Sequence, residues 1–377
     1  MRRAAALGLL AMSTVLAACG ADAAPSSPTT SRPPAAVVPG RKGPSAATRF
    51  LSRYVTADGR VLRRDQGSDI VSEGQAYGML IAEVAGAPAV ARTIWTWTRQ
   101  HLARADGLFA WHASGDGQIE DSQSATDGDV LIAYALLSYR GAGAGELHGA
   151  GRRVAAAVLA HESATLAGGA PLPVAGPWAL TAQPLVVDPS YLAPGVFSAL
   201  ATATGDARWG AAAGASISLV GALTHGGRRL PPDWAALSGG ALTATAAPGG
   251  GAGVQYGLDA QRIPIWFAAS CDPTARALAA AWWKLLQKGD RAGALALSLT
   301  GATLNGASNP LPLLAAAAAA SAAGDSAAAA SAAGDSAAAS ALSARALAQS
   351  QRTPTYYGDA WVVLAGALAS GGLAACR

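Results

Sequence analysis

Acidic side chains at the starts of predicted helices are the first candidates for chemistry. Ser72 in residues 72–79 (SEGQAYGM) predicts a helix N-cap, which places Glu73 in the first turn. Gly74 and Gly78 beside it would leave room for a ligand to approach the backbone. The simpler interpretation is a capped helix whose first-turn glutamate only interacts with the helix dipole.

Two further acidic groups lie at predicted helix starts downstream. Asp127, in residues 124–137 (SATDGDVLIAYALL), stands at a loop-to-helix junction, where Asp commonly caps backbone N–H groups. Asp259 precedes Arg262 by three residues, a spacing at which a guanidinium can orient a carboxylate on a helical turn. Taken singly, each is more simply a cap or an ion pair.

Together, the three acids suggest a reaction. If the helices form a ring, their starts meet on one face, and Glu73, Asp127 and Asp259 line a single cleft. Cleavage of a glycosidic bond needs one protonated carboxyl to donate to the leaving oxygen and one ionised carboxylate to activate water. The pattern therefore favours a glycoside hydrolase.

Aromatic rings give sugars flat apolar faces to bind, and loops make such rings accessible. The candidate platforms, all in or beside Gly/Pro-rich loops, are Trp111, Trp178, Tyr191, Trp234 and Tyr357. Core packing is the alternative for any one of them. The tryptophans inside helical patterns are predicted to be core residues: Trp95, Trp97, Trp282 and Trp283.

Composition excludes several classes of protein. Of the 377 residues, 51% are hydrophobic and 13% are charged, so the chain can bury a large core. The net charge is only +4 and no basic stripe is interleaved with aromatics, so nucleic acid is not expected as a partner. No CxxC or HExxH motif occurs, so neither a metal nor a cofactor is implied. Cys271 and Cys376 are free to form a disulfide, which sequence cannot decide.

The N-terminus resembles an export signal. Basic and then apolar residues fill positions 1–19, and residues 16–20 (LAACG) resemble a bacterial lipobox in which Cys19 is lipidated. An ordinary secretory signal is the alternative. Residues 20–46, rich in Pro, Ser, Thr and Ala, are predicted to be a linker, and residues 47–377 the catalytic domain. We expect an exported monomer, anchored to the membrane by lipid.

Helical periodicity dominates the domain and predicts an all-α fold. The predicted helical segments are 74–86, 88–104, 128–140, 150–166, 190–203, 207–220, 260–270, 273–287, 310–322, 338–350 and 356–370. Residues 239–254 favour an irregular loop or a hairpin. The ten residues 317–326 recur at once as 327–336, a duplication that we expect to lengthen an Ala-rich helix or an exposed loop. A closed double ring is one arrangement that buries so many apolar faces.

The sequence resembles glycoside hydrolase family 8, the family of bacterial endoglucanases, from about residue 50 to residue 369. The motifs that carry this resemblance, in the family's order, are SEGQAYGM at 72–79, SATDGDVLIAYALL at 124–137, VVDPSYLAP at 186–194, PPDW at 231–234, LDAQRIPIW at 258–266 and TYYGDA at 355–360. The motif at 124–137 is the most specific of these. The later motifs are weak individually, and it is mainly their order along the chain that supports the resemblance.

The resemblance implies an (α/α)6 barrel with a cleft across one end, and hydrolysis with inversion. It places Glu73 as general acid and Asp259 as general base. Asp127 would hold the distorted sugar, and Arg262 would accompany the base. Trp111 is one of the loop platforms proposed above, and the resemblance adds substrate-binding aromatics at two positions, Tyr191 and Tyr357.

Two departures from the family pattern are Leu258, where an aromatic is common, and Asp188, where Asn is common. The expected substrate is β-1,4-glucan; chitosan, mixed-linkage β-glucan and xylan are alternatives within the family. A surface lipoprotein that binds glycans with little catalysis, and a polysaccharide lyase, are alternatives of other classes. No Tyr/His or Arg/Lys pair typical of a lyase is found in the sequence.

Overall fold

Twelve α-helices run through residues 44–326 and 329–373, the parts of the chain that this computed structural model describes. The helices are α1 (Ala46–Tyr54), α2 (Ser72–Val84), α3 (Pro88–His101), α4 (Thr126–Ser138), α5 (Ala144–His161), α6 (Pro194–Thr204), α7 (Ala207–Leu223), α8 (Arg262–Ala268), α9 (Pro273–Leu286), α10 (Pro310–Ser326), α11 (Ala329–Arg352) and α12 (Tyr356–Ala369). The strands are β1 (Ile70–Val71), β2 (His112–Ala113), β3 (Ile119–Asp121), β4 (Ser163–Thr165), β5 (Pro171–Pro173), β6 (Leu185–Val187), β7 (Trp234–Ser238), β8 (Ala241–Thr245), β9 (Ala294–Leu297) and β10 (Thr303–Ser308).

The even-numbered helices form a closed inner ring. α2 packs against α4, α4 against α6, α6 against α8, α8 against α10, α10 against α12, and α12 returns to α2. The odd-numbered helices lie outside this ring, each against one or two inner helices. The arrangement is an (α/α)6 barrel, which confirms the predicted fold.

Burial explains which helices lie inside. α4 is buried from Thr126 through Leu136, and after its acidic first turn it is apolar on every side. α5, outside it, buries only one face, with Leu147, Val154 and Val158 at helical spacing. A helix apolar all round needs neighbours on every side, and the inner ring supplies them.

The short strands hold loops at the end of the barrel where the inner helices begin. β1, β2 and β3 form an antiparallel sheet that pairs Val71, just before α2, with His112. The hairpin predicted within residues 239–254 is real but lies earlier, as β7 and β8. Gly239 and Gly240 form its turn with φ of 59° and 79°, which favours glycine.

Three helices begin far from the predicted segments, and most of the others differ from them by a few residues at one end or both. α1 was not predicted, α5 begins six residues earlier and α11 nine residues earlier than expected. α1 is short and its apolar residues alone do not distinguish it from a loop. It is fixed by α12: Arg53 Nη1 and the Tyr54 hydroxyl both donate to Asp359 Oδ2 at 3.0 Å.

The duplicated segment lengthens two helices. The first copy ends α10 and most of the second begins α11, and the two pack against each other. A Cβ at Gly324 would lie 2.9 Å from Ser336 Oγ, so glycine allows this close approach. Trp283 of α9 donates its indole N–H to Asp335 at 2.8 Å.

Cys271 is disulfide-bonded. Cys19 and Cys376, the other two cysteines of the chain, lie outside the described residues, as do the predicted signal and the linker up to residue 43. Within the described part of the chain, no helix has both the length and the apolarity needed to cross a membrane.

Candidate active site

A cavity of about 350 Å³ opens at the end of the barrel where the inner helices begin. It is lined by the starts of α2, α4, α8 and α12 and by the loops before them. The lining residues are Arg63, Asp65, Gln66, Val71, Ser72, Glu73, Trp111, Ala125, Asp127, Tyr191, Leu258, Asp259, Arg262, Asn309, Thr355, Tyr356 and Tyr357. All three predicted acids are thus in one cavity.

α2 presents Glu73 in its first turn, as predicted, with 18% of the side chain exposed. Ser72 is not the N-cap: it is the first helical residue, and Val71 occupies the cap position without a side-chain hydrogen bond. The extended backbone of β1 leads directly into α2, so the helix begins without a polar side chain at its N-cap.

The glycines of α2 do not make room for a ligand, contrary to the prediction. A Cβ at Gly74 would lie 2.7 Å from the Tyr356 hydroxyl, and one at Gly78 would lie 2.6 Å from Val61. Both glycines face packed neighbours inside the protein. They let α2 approach those neighbours closely.

α4 brings Asp127 next to Glu73. A Cβ at Gly128 would meet the Ser72 hydroxyl and lie 3.0 Å from the Glu73 backbone nitrogen, so only glycine permits this approach of α4 to α2. Asp127 is the second residue of α4 and not its N-cap, a position that Ala125 occupies without a side-chain hydrogen bond. Its Oδ1 instead accepts from the Gly128 N–H at 2.8 Å.

Arg262, the first residue of α8, lies at the centre of the site with only 4% of its side chain exposed. Its Nη1 donates to Glu73 Oε1 at 2.6 Å and to Asp127 Oδ2 at 2.8 Å. Its Nη2 donates to Ser190 Oγ at 2.5 Å. A buried guanidinium requires such partners, and here it joins three elements of the barrel.

The sequence predicted that Arg262 would orient the Asp259 carboxylate, but in the structure its side-chain hydrogen bonds to carboxylates go to other residues. Arg262 Nη2 lies 3.7 Å from Asp259 Oδ1, an ion pair without a hydrogen bond. The carboxylates that accept hydrogen bonds from the guanidinium are those of Glu73 and Asp127, which are 189 and 135 residues away in the chain. Its Nε donates to the backbone carbonyl of Asp259 at 3.4 Å. Asp259 keeps 42% of its side chain exposed at the cavity.

Two carboxyl groups in this site have different proton affinities. Burial, together with the charge of Asp127, raises the pKa of Glu73 to about 8, although Arg262 opposes the rise. Partial burial raises the pKa of Asp259 to about 6; Arg262 opposes this rise too, and Asp233 adds to it. At pH 7 Glu73 therefore holds a proton and Asp259 is mostly ionised.

Asp188 belongs to the site, although the sequence marked it only as a departure. It is buried, and its Oδ2 lies 3.6 Å from Arg262 Nη2. Its Oδ1 accepts from the backbone N–H of Ser190 at 2.8 Å and from the Ser190 hydroxyl at 2.6 Å. Burial and the charge of Asp259 raise the pKa of Asp188. The feature of the sequence that could have identified Asp188 as a site residue is the motif that contains it, VVDPSYLAP at 186–194.

The aromatic candidates divide into two groups. Trp111, Tyr191 and Tyr357 line the cavity, and the Tyr191 ring lies 5.3 Å from the Arg262 guanidinium carbon. Trp178 and Trp234 do not line it. The four helical tryptophans predicted as core are buried: Trp95, Trp97, Trp282 and Trp283.

A larger cavity of about 530 Å³ lies at the opposite end of the barrel, where α8, α10 and α12 end. Among the described residues that line it, Asp325 is the one acid, so this cavity lacks the paired carboxyl groups of the first. In residues 44–326 and 329–373, no cluster of three or more His, Cys, Asp or Glu side chains is arranged to hold a metal ion.

Comparison with known proteins agrees with this geometry. The family model described as "Glycosyl hydrolases family 8" matches residues 41–366. A probable endoglucanase of Novacetimonas hansenii is 31% identical over 234 residues, which are 58% of this chain and 64% of that relative. The match thus spans just under two thirds of that protein's length.

Solved structures share the fold. An endo-β-1,4-glucanase of Acetobacter xylinum superposes with a TM-score of 0.66 at 26% identity, covering 86% of this chain and 98% of that one. A β-1,3-1,4-glucanase of Paenibacillus sp. X4 superposes with a TM-score of 0.74 at 21% identity, covering 86% and 90%. At such low identity, the second likeness concerns the fold alone.

Proposed function

Because the chain belongs to glycosyl hydrolases family 8, we propose that it is an endo-acting hydrolase that cleaves β-1,4-glucan with inversion. Glu73 is the general acid and Asp259 the general base. The observation that carries the proposal is the pair of carboxyl groups on either side of Arg262, with pKa values of about 8 and about 6, in a cavity open to solvent.

The proposed reaction is a single displacement at the anomeric carbon, in which water replaces the leaving sugar. Glu73 gives its proton to the glycosidic oxygen, and the bond from that oxygen to the anomeric carbon breaks. Asp259 takes a proton from a water molecule, whose oxygen forms the new bond to the anomeric carbon. Asp127, fixed by Arg262 and by the Gly128 N–H, is placed to hold the distorted sugar and to stabilise the positive charge that develops on it.

The position of Arg262 limits the distance between acid and base. Its two terminal nitrogens lie 2.6 Å from Glu73 and 3.7 Å from Asp259. The two carboxyl groups are therefore at most about 9 Å apart, an upper limit that leaves room for the roughly 6.5–9.5 Å of inverting enzymes. The same limit also holds for the roughly 5–5.5 Å of retaining enzymes, so the proposal of inversion rests on the family. Proton NMR of the first product tests the proposal: we expect the α-anomer from a β-linked glucan, and the β-anomer would contradict inversion.

Glu73→Gln tests the acid. The amide oxygen of the introduced glutamine can accept the same hydrogen bonds from Arg262 and Tyr77, so the fold and oligosaccharide binding should persist. Without the proton we expect kcat on carboxymethyl cellulose to fall by roughly 100- to 10,000-fold. Glu146→Gln is the matched control, because Glu146 is also a first-turn glutamate but is 60% exposed on α5. Full activity of Glu73→Gln would refute the acid assignment.

A panel of polymers separates the alternatives for the substrate. We expect reducing ends to be released fastest from β-1,4-glucan; faster release from chitosan, mixed-linkage β-glucan or xylan would reassign the substrate within the family. Binding without release from any of them would instead support a glycan-binding protein. Trp111, Tyr191 and Tyr357 supply aromatic surface for the sugar rings in every case.

Export and anchoring through Cys19 are also proposed, from the lipobox-like residues 16–20. We expect the protein in the membrane fraction of its host, labelled by a radioactive fatty acid. Cys19→Ser should remove the label and move the protein to the soluble fraction. An unlabelled wild-type protein would contradict the anchor.

A further inference from the structure

Asp233 is a buried carboxylate outside the cavity that the reaction as described does not use. It lies just before β7, in the motif PPDW, and it does not line the cavity. The hydrogen bonds of its carboxylate all go to residues 255–261, the segment that carries Asp259. We propose that Asp233 is a positioning residue that holds this segment in place and acts on the Asp259 base through its charge.

The hydrogen bonds of Asp233 bracket the base. Its Oδ1 accepts from the backbone N–H groups of Gly257 and Ala260, both at 2.9 Å, and these residues lie on either side of Asp259. Its Oδ2 accepts from the side-chain amide of Gln255 at 3.0 Å. The backbone N–H of Asp233 donates to the Gln255 carbonyl at 2.9 Å. One carboxylate thus fixes both sides of the residue that must orient a water molecule.

The segment is also attached on its other side. The Tyr256 N–H donates to the Leu297 carbonyl at 2.8 Å, and the Gln261 side chain donates to the Ala294 carbonyl at 3.2 Å. A Cβ at Gly257 would collide with the Asp233 carboxylate and lie 2.6 Å from the Gln255 amide. Glycine at 257 is therefore required for the close approach of this backbone to Asp233.

Asp233 faces N–H donors, which favours its ionised form even though burial raises its pKa. As an anion it disfavours a second negative charge on Asp259. The other titratable or charged groups that act on Asp259, or are acted on by it, are Glu73 of α2, Asp127 of α4, Asp188 and Tyr191 before α6, Arg262 of α8 and Tyr357 of α12. Asp233 differs from the catalytic carboxyl groups because it lies behind the segment that carries the base rather than in the cavity.

Asp233→Asn separates charge from position. The side-chain carbonyl oxygen of the introduced asparagine can still accept from Gly257 and Ala260. Its NH2 group takes the place of the oxygen that accepts from Gln255, and a turn of the Gln255 amide lets the amide oxygen accept from it. The segment should therefore stay in place, but the negative charge is gone. Ionised Asp259 is then easier to form, and the acidic limb of kcat/KM against pH should move to lower pH by on the order of one unit. The alkaline limb, which reports the pKa of Glu73, should stay at the pH of the wild-type protein. A merely structural role would not move one limb alone.

Asp233→Ala removes the hydrogen bonds as well. We expect kcat to fall by up to about 100-fold with KM little changed, because a misplaced base loses the alignment of its water. Gly257→Ala should lower kcat without the acidic-limb shift, since the charge remains. Asp206→Asn is the matched control: Asp206 accepts the Arg208 N–H at 3.0 Å at the start of α7, away from the cavity.

This inference rests on the proposed role of Asp259, and the experiment separates the two. Full activity of Asp259→Asn would overturn the base assignment itself. If Asp259→Asn is inactive but Asp233→Asn keeps the wild-type pH profile, only the role of Asp233 is overturned. If Asp233→Ala does not fold, which its thermal melt reports, the acidic limb of Asp233→Asn decides the question.

Discussion

Glu73 and Asp259 must be in opposite protonation states for the proposed reaction. Asp259 works only when ionised, so activity should rise as pH increases through its pKa of about 6. Glu73 works only when protonated, so activity should fall as pH increases through its pKa of about 8. We expect a bell-shaped profile of kcat/KM with its maximum between these values. A profile still rising above about pH 9 would contradict the acid role of Glu73.

At the same scale, the sequence identified residues by their motifs but not by their contacts. Glu73, Asp127, Asp259 and Arg262 were all singled out, and all four meet in one cavity. That Arg262 donates hydrogen bonds to the carboxylates of Glu73 and Asp127, and to Asp259 only at its backbone carbonyl, was not predictable. The contacts depend on how three distant helix starts converge, and local spacing contains no information about that.

At the scale of elements, the approach of α4 to α2 depends on Gly128. An added Cβ meets the Ser72 hydroxyl and the Glu73 backbone nitrogen, so one helix must shift. We expect Gly128→Ala to destabilise the fold by about 1–3 kcal/mol and to lower kcat, because both helices carry acids of the site. Thermal melts and assays on carboxymethyl cellulose measure the two effects.

Gly210→Ala is the matched control for that change. Gly210 is a helical glycine of α7 with open space where a Cβ would lie. Alanine there should leave kcat unchanged and stabilise the helix by up to about 1 kcal/mol. Equal losses in both variants would show that helix propensity, rather than the contact between α2 and α4, matters at residue 128.

Helices were predicted well where apolar residues recur over several turns, as in α4 and α12. The failures have physical causes. α1 is only nine residues long and is stabilised by α12 rather than by its own pattern. The cap at Ser72 failed because β1 runs straight into α2, an effect of strand pairing between Val71 and His112 that lies outside the local sequence.

At the scale of the whole molecule, α1 helps to close the ring. Phe50 packs 6.0 Å from the Tyr356 ring, and Tyr54 donates to Asp359, so α1 supports the first turn of α12. A chain that starts at residue 44, which keeps α1, is the reference for this comparison. A chain that starts at residue 56 should lose stability severely, because burial of each large side chain is worth about 1.5–3 kcal/mol. Equal melting temperatures for the two chains would contradict this role of α1.

Ring closure itself was suggested by the sequence but not determined by it. Alternating buried and half-buried helices are compatible with open solenoids as well as rings. The contact between α12 and α2, which lie at opposite ends of the helix order, distinguishes the two. Ring closure was predicted from the resemblance to the family and could not be predicted from helical periodicity.

The inner helices begin at the cavity, and in α10 the duplicated residues lie at the other end of the helix. α10 starts next to Asn309, a lining residue, and takes up the first copy of the duplicated ten residues only from residue 317 onward. Extra turns there extend the wall away from the sugar and leave the distance between Glu73 and Asp259 untouched. A change of length at that rim therefore spares the site, whereas a change at the rim that bears the cavity would displace the acids.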